Sequence, residues 1–117
     1  MSGATSYHSG LAAEAMVEQF YIRSGRSVCA RRWRGAVGEI DLIARDGADV
    51  IFIEVKQSAT HAEAAEHLTP RQMARIYASA SDFLSGEPDG QLTPARFDVA
   101  LVDGQGRIEI LENAFTA

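Results

Sequence analysis

Two short segments hold residue types suited to hydrolysis at phosphate: GEIDLIARDG from Gly38 supplies Glu39 and Asp41, and VIFIEVKQS from Val50 supplies Glu54 and Lys56. Between them runs Arg45-Asp46-Gly47-Ala48-Asp49, and Asp-Gly is a strong hairpin signal. A two-residue loop at Gly47-Ala48 pairs Asp46 with Asp49, so Asp41 lies opposite Glu54 and Glu39 opposite Lys56. A turn at Asp46-Gly47 shifts the pairing by two and still leaves these four side chains on one face, because side chains alternate with period two. Ile40, Leu42 and Ala44 then share the other face with Ile51, Ile53 and Val55, which is a core face.

Like charges directly opposite one another in a sheet cost up to about 1 kcal/mol. A divalent cation gives a reason to place Asp41 against Glu54, since carboxylates are hard oxygen ligands and Mg²⁺, or Mn²⁺, takes one or two of them plus waters and phosphate oxygens. Lys56 stands roughly 6.6 Å along the strand from Glu54 on the same face. From there its amine can orient or help deprotonate a metal-bound water. The competing reading is an ordinary charged hairpin face with a Glu39–Lys56 bridge worth less than about 1 kcal/mol. Ile43, Val50 and Phe52 on the acid face count against it and predict acids half buried beneath a covering element.

The elements that must position these groups read as α-β-β-β-α-β-β. A helix from Ser9 or Gly10 to Ser24 carries Leu11, Ala12, Ala15, Met16, Phe20 and Ile22 around most of its circumference, with Gly25 as its stop. Glu14 falls at the edge of its apolar face, either as an acid favoured by the helix dipole or as a contributor to the site. Residues 26–34 read as a first strand, 38–44 and 50–56 as the next two, a meander. SATHAEAAEHL after Gln57 reads as a loop with at most one helical turn. Thr69-Pro70-Arg71-Gln72 spells a capping box with proline at the first helical position, opening a helix that Gly86 and Pro88 end. Arg96–Val102 and Arg107–Leu111 are the last strands.

The 117 residues, 46% hydrophobic and 23% charged, suit one domain over 1–117, with 1–9 flexible. The lone Cys29 builds no disulfide framework, and the N-terminus lacks a signal-peptide pattern, so a cytoplasmic protein without a membrane segment is expected. A net charge of −5 argues against indiscriminate coating of nucleic acid. Ten of the eleven basic residues are Arg, and Arg23, Arg26, Arg31, Arg32 and Arg34 cluster with no acid among them. This cluster reads as a phosphate grip or as a charged strand edge that blocks sheet-to-sheet pairing. Arg71 and Arg75, one turn apart, either reach phosphate or form the solvated face of their helix. Trp33 reads as sheet packing, Asp98 as a structural ion pair with Arg96, and His8, His61 and His67 as loop residues without metal-binding spacing.

GEIDLIARDG and VIFIEVKQS together resemble the PD-(D/E)XK nuclease superfamily, which includes restriction enzymes and Holliday junction resolvases. From Gly10 to Phe115, through RRWR, GEIDLIA, TPRQMARI, RFDVALV and IEILENAF, the chain is similar to the YraN family of nuclease-like proteins. The resemblance implies an α/β fold of α+β type: a restriction endonuclease-like three-layer core whose mixed sheet of about five strands is flanked by helices. It also implies a metal site at Asp41 and Glu54 with Lys56 catalytic, and Glu14 as a further ligand or support. Glu39 is expected as an accessory acid or lysine partner. Gln57 and Ser58 stand where relatives usually carry a small polar residue and an arginine, so Gln57 is at most accessory. The expected function is Mg²⁺-dependent cleavage of branched or single-stranded nucleic acid, DNA by preference, with Arg31, Arg32, Arg34, Arg71 and Arg75 on flanking phosphates. Two-strand cutting would suit a homodimer. The alternative is a non-catalytic nucleic-acid or protein-binding module on the same scaffold.

Overall fold

The hairpin takes the two-residue loop. In the computed structural model, which describes residues 3–115 with side chains from Gly10 onward, β2 (Glu39–Asp46) and β3 (Asp49–Gln57) are antiparallel, with Asp46 facing Asp49 and Leu42 facing Ile53. Gly47 at φ +63° makes the tight turn, a conformation that costs glycine no Cβ clash. The register shifted by two is thereby excluded. The regular ladder ends at Leu42 and Ile53, one residue short of the acids.

β1 (Ser27–Arg34) pairs antiparallel with β2, completing the expected meander. After β3 the chain leaves the sheet through α2 (His61–Glu66) and α3 (Pro70–Leu84), then returns as β4 (Ala95–Val102), parallel to β3 from Val50–Ala95 to Gln57–Val102. A parallel return needs a long crossover, which the helices supply. β5 (Ile108–Leu111) closes the sheet antiparallel to β4, and the strand order is β1-β2-β3-β4-β5. This is an α/β fold around a five-stranded mixed sheet.

Both faces of the sheet are covered. Ala13, Val17 and Tyr21 of α1 (Gly3–Arg23) pack on Leu42, Ala44, Ile51, Ile53, Ala100 and Val102. Ala80 and Leu84 of α3 pack on Ile40, Ile43, Val50 and Phe52, with Trp33 and Phe83 alongside. Burial on two faces is why β3 reads as a near-continuous apolar run. The covering element inferred over Ile43, Val50 and Phe52 is α3, and it opens as expected: Thr69 accepts from the Gln72 N–H while Gln72 accepts from the Thr69 N–H.

Three details differ from the sequence reading. α1 starts at Gly3, so part of the stretch expected to be flexible is helical; the His8 side chain lies outside the described residues. The segment after Gln57 holds a six-residue helix whose N-cap, Thr60, accepts from the Glu63 N–H at 3.1 Å, and His61 opens that helix. Ile40 packs with Ile43 under α3 instead of joining Leu42 under α1. Among the described residues no helix is long and apolar enough to cross a membrane.

Candidate metal and phosphodiester site

The site sits where β1 and β2 lose strict alternation on the same rung. Ala30 and Trp33 both pack on the α3 side, and so do Ile40 and Ile43, although three-residue spacing in a regular strand puts side chains on opposite faces. Arg32 explains the break in β1, with φ +48° in mid-strand, a left-handed conformation that costs a non-glycine residue about 1–2 kcal/mol. Across from it, Asp41 is skipped by the ladder, between Arg31–Leu42 and Trp33–Ile40.

Side chains replace the missing rungs between β2 and β3. Asp41 Oδ2 accepts from the Val55 N–H at 2.8 Å, and Glu54 Oε1 accepts a long 3.4 Å bond from the Asp41 N–H. Each carboxyl is therefore tied to the other acid's strand. Glu54 is 8% exposed. Its burial, and then the Asp41 charge, push its carboxyl up to about 9 against the pull of Lys56. Asp41 is raised as well, burial outweighing the Val55 N–H, the hydrogen bond with Glu54 and the Lys56 charge. Two like groups desolvated together favour holding one proton between them, or a cation in its place. Lys56 Nζ stands 3.9 Å from Glu54 Oε2.

The β1–β2 connection and α3 form the wall beside Glu54. Ser79, fully buried, donates from Oγ to the Gly38 carbonyl at 2.8 Å, and the Ala36 N–H donates to Asp82 Oδ2 at 2.7 Å. A Cβ on Gly35 would lie 2.7 Å from Ser79 Cβ and 2.9 Å from its Cα, so only glycine lets the turn seat on the helix. A cleft of about 130 Å³ opens here, lined by Gly38, Glu39, Glu54, Gln72, Arg75 and Ile76. Sequence reasoning missed Ser79 and Asp82, which touch the site only through the backbone they hold.

The other candidate residues are placed as follows. Glu14 of α1 comes near enough to feel the Asp41 charge, yet both its oxygens take the Arg32 guanidinium, at 3.0 and 3.2 Å. Burial raises the Glu14 carboxyl and Arg32 opposes the rise. Glu39 lies 3.8 Å from Arg34. Gln57 ends β3, exposed and opposite Val102. The arginine cluster is largely matched by acids distant in sequence: Arg26 by Asp46, Arg31 by Glu18 in a two-point pair, Arg32 by Glu14. Arg71 and Arg75 are exposed on α3. Trp33 packs edge-on against Phe83 at 5.4 Å, as a sheet-packing residue should. Asp98, fully buried, accepts from Arg96, Tyr21 Oη and the Asn113 N–H, the structural ion pair expected of it.

Among the described residues no three His, Cys, Asp or Glu side chains converge as a metal-binding group. Asp41 and Glu54 form a two-carboxylate set without nitrogen or sulfur, and that donor chemistry fits a hard cation which fills its remaining positions with water and phosphate. Glu14, held by Arg32, does not complete a third.

Comparison with known proteins agrees with the motifs. Over its full length the chain is 68% identical to the full length of a UPF0102 protein of Cereibacter sphaeroides strain KD131. It is 60% identical to one of Ruegeria pomeroyi, over 97% of this chain and 92% of that one. A third, from Dinoroseobacter shibae, is 46% identical over 95% and 83%. The model of the uncharacterised protein family UPF0102 matches residues 13–102, which takes in Glu14, the hairpin and β4. The chain thus belongs to UPF0102, the YraN family that its hairpin motifs resemble.

Proposed function

We propose that the protein hydrolyses phosphodiester bonds in nucleic acid, with Asp41 and Glu54 holding Mg²⁺ or Mn²⁺ and Lys56 assisting proton transfer. One observation carries this reading: the buried Glu54 carboxyl and the half-buried Asp41 carboxyl are set against each other, where a proton or a cation must balance them, with an amine 3.9 Å from Glu54. When bound, the cation supplies an activated water and withdraws charge from a phosphate oxygen. The chain's own residues do the rest. The Val55 N–H fixes Asp41, α3 walls Glu54 from bulk water, and Lys56 stabilises negative charge as it develops. Arg75 lines the cleft, and with exposed Arg71 one turn before it on α3 and Arg34 3.8 Å from Glu39 it grips flanking phosphates.

Among the described residues no helix offers itself for groove recognition, so we assign selection by shape, with branched or single-stranded DNA as the substrate class. Two copies acting on opposite strands form the working unit, in the cytoplasm. The test is cleavage of a branched DNA in Mg²⁺ or Mn²⁺. Asp41→Ala and Lys56→Ala should each lose about a hundredfold or more in rate while retaining binding. Unchanged cleavage in both variants would rule the reading out, and binding without cleavage by the wild type would leave a nucleic-acid-binding module.

A further inference from the structure

We propose that Glu14 holds Arg32 in place of a substrate phosphate, and that a phosphate which takes Arg32 releases Glu14 toward Asp41. The proposal rests on the reading of Asp41 and Glu54 as a cation site. It starts from the backbone. Consecutive strand residues point to opposite faces, yet Arg31 and Arg32 both reach α1, pairing with Glu18 and Glu14, which lie one helical turn apart. The φ of +48° at Arg32 accomplishes this. Strained backbone at an arginine persists where surrounding structure holds it, and such outliers cluster at binding sites.

The contact is suited to exchange. Arg32 keeps 35% of its side chain exposed, and an open cleft of about 190 Å³ is lined by Glu14, Glu18, Arg31 and Arg32 together with Leu11 and Ala15. A guanidinium fork fits phosphate as well as carboxylate, and phosphate brings more charge. What the exchange releases matters more than what it binds. The charges of Asp41 and Glu39 already act on the Glu14 carboxyl. Freed from Arg32, that carboxylate adds a third anion beside the Asp41–Glu54 pair, and cation affinity rises. Phosphate and cation are thereby coupled, and the coupling is reciprocal.

Titration calorimetry with Mn²⁺ alone on the full chain tests the exchange. Arg32→Asn is the informative variant, because asparagine accepts a left-handed φ and the fold should survive, as a thermal melt will show. Arg32→Asn should bind Mn²⁺ about tenfold tighter than wild type, and the added Glu14→Gln should cancel that gain. A gain that persists in the double variant is mere loss of a nearby positive charge and overturns the proposal. Equal affinity of Arg32→Asn and wild type, with binding abolished by Asp41→Asn, overturns the exchange but leaves the cation site standing. Wild-type binding that Asp41→Asn does not weaken removes both. Anisotropy of a fluorescent single-stranded oligonucleotide in EDTA approaches the pair from the other side. Glu14→Gln should bind several-fold tighter and Glu14→Gln with Arg32→Asn should not; no gain in the first overturns the proposal.

Discussion

At Glu54 a carboxyl lies inside the sheet with another carboxyl opposite, and this makes stability depend on pH in a definite direction. Its folded value of about 9 lies above the roughly 4.3 of an unfolded chain. The protonated group therefore contributes stability that is fully present below about pH 4 and lost as pH rises through about 9. Glu54→Gln keeps the shape without the charge. In EDTA it should gain on wild type by on the order of 1–3 kcal/mol at pH 8, and by much less at pH 5, in urea denaturation followed by circular dichroism. With Mg²⁺ added at pH 8 the order should reverse, since the cation stabilises only wild type. An equal difference at both pH values in EDTA would show that Glu54 is not raised. The approach of Asp41 to Glu54 was legible because a hairpin shifted by two residues still leaves both on the same face. The Arg32 conformation was not: a glycine or asparagine there would have signalled a left-handed residue, and an arginine does not.

At the scale of elements, the β1–β2 connection is seated on α3 through Gly35, and a methyl group there meets helix backbone. Gly35→Ala should cost about 1–3 kcal/mol, the usual cost of overpacking. It should also move Gly38 and Glu39 at the mouth of the cleft, lowering metal-dependent cleavage more than the stability loss explains. Gly10 offers the contrast within α1, with nothing within 4 Å of an added Cβ, so Gly10→Ala should stabilise by roughly 0.5–1 kcal/mol. Urea melts of the two variants check both signs, and two changes of the same sign would contradict this account of the turn. Local chemistry explains which elements could be read in advance. Thr69 to Gln72 announced α3 because both capping bonds are encoded within four residues. Thr60-His61-Ala62-Glu63, the N-cap and first turn of α2, carries a T-x-x-E capping-box spelling and was the available signal. It went unread because the helix is only six residues long and buries a single alanine, Ala64, leaving little apolar periodicity to read.

At the scale of the molecule, a chain of net charge −5 is proposed to bind a polyanion, and the disposition of its arginines says how. Arg26, Arg45, Arg96 and Arg107 are committed to Asp46, Glu87, Asp98 and Asp103. Exposed Arg34, Arg71 and Arg75, the last of them lining the cleft, are available to phosphate, joined by Arg31 and Arg32 once their α1 acids give way to it. That makes about three to five phosphate contacts, and each displaces roughly 0.7 counterions from a single strand. The logarithm of the binding constant should thus fall against the logarithm of salt with a slope of about −2 to −4. Anisotropy of a fluorescent oligonucleotide in EDTA, titrated at several salt concentrations, measures it. A slope steeper than about −6 would mean a second cationic surface and a different docking face. A shallow slope has a functional corollary: electrostatics alone holds few competing duplexes, and discrimination passes to the geometry of the cleft between Gly38 and Arg75. Branched and single strands bend a phosphate into that cleft at less deformation cost than a continuous duplex does. Their advantage over duplex should therefore persist and widen as salt rises, because each duplex contact releases about 0.9 counterions against about 0.7 for a single strand.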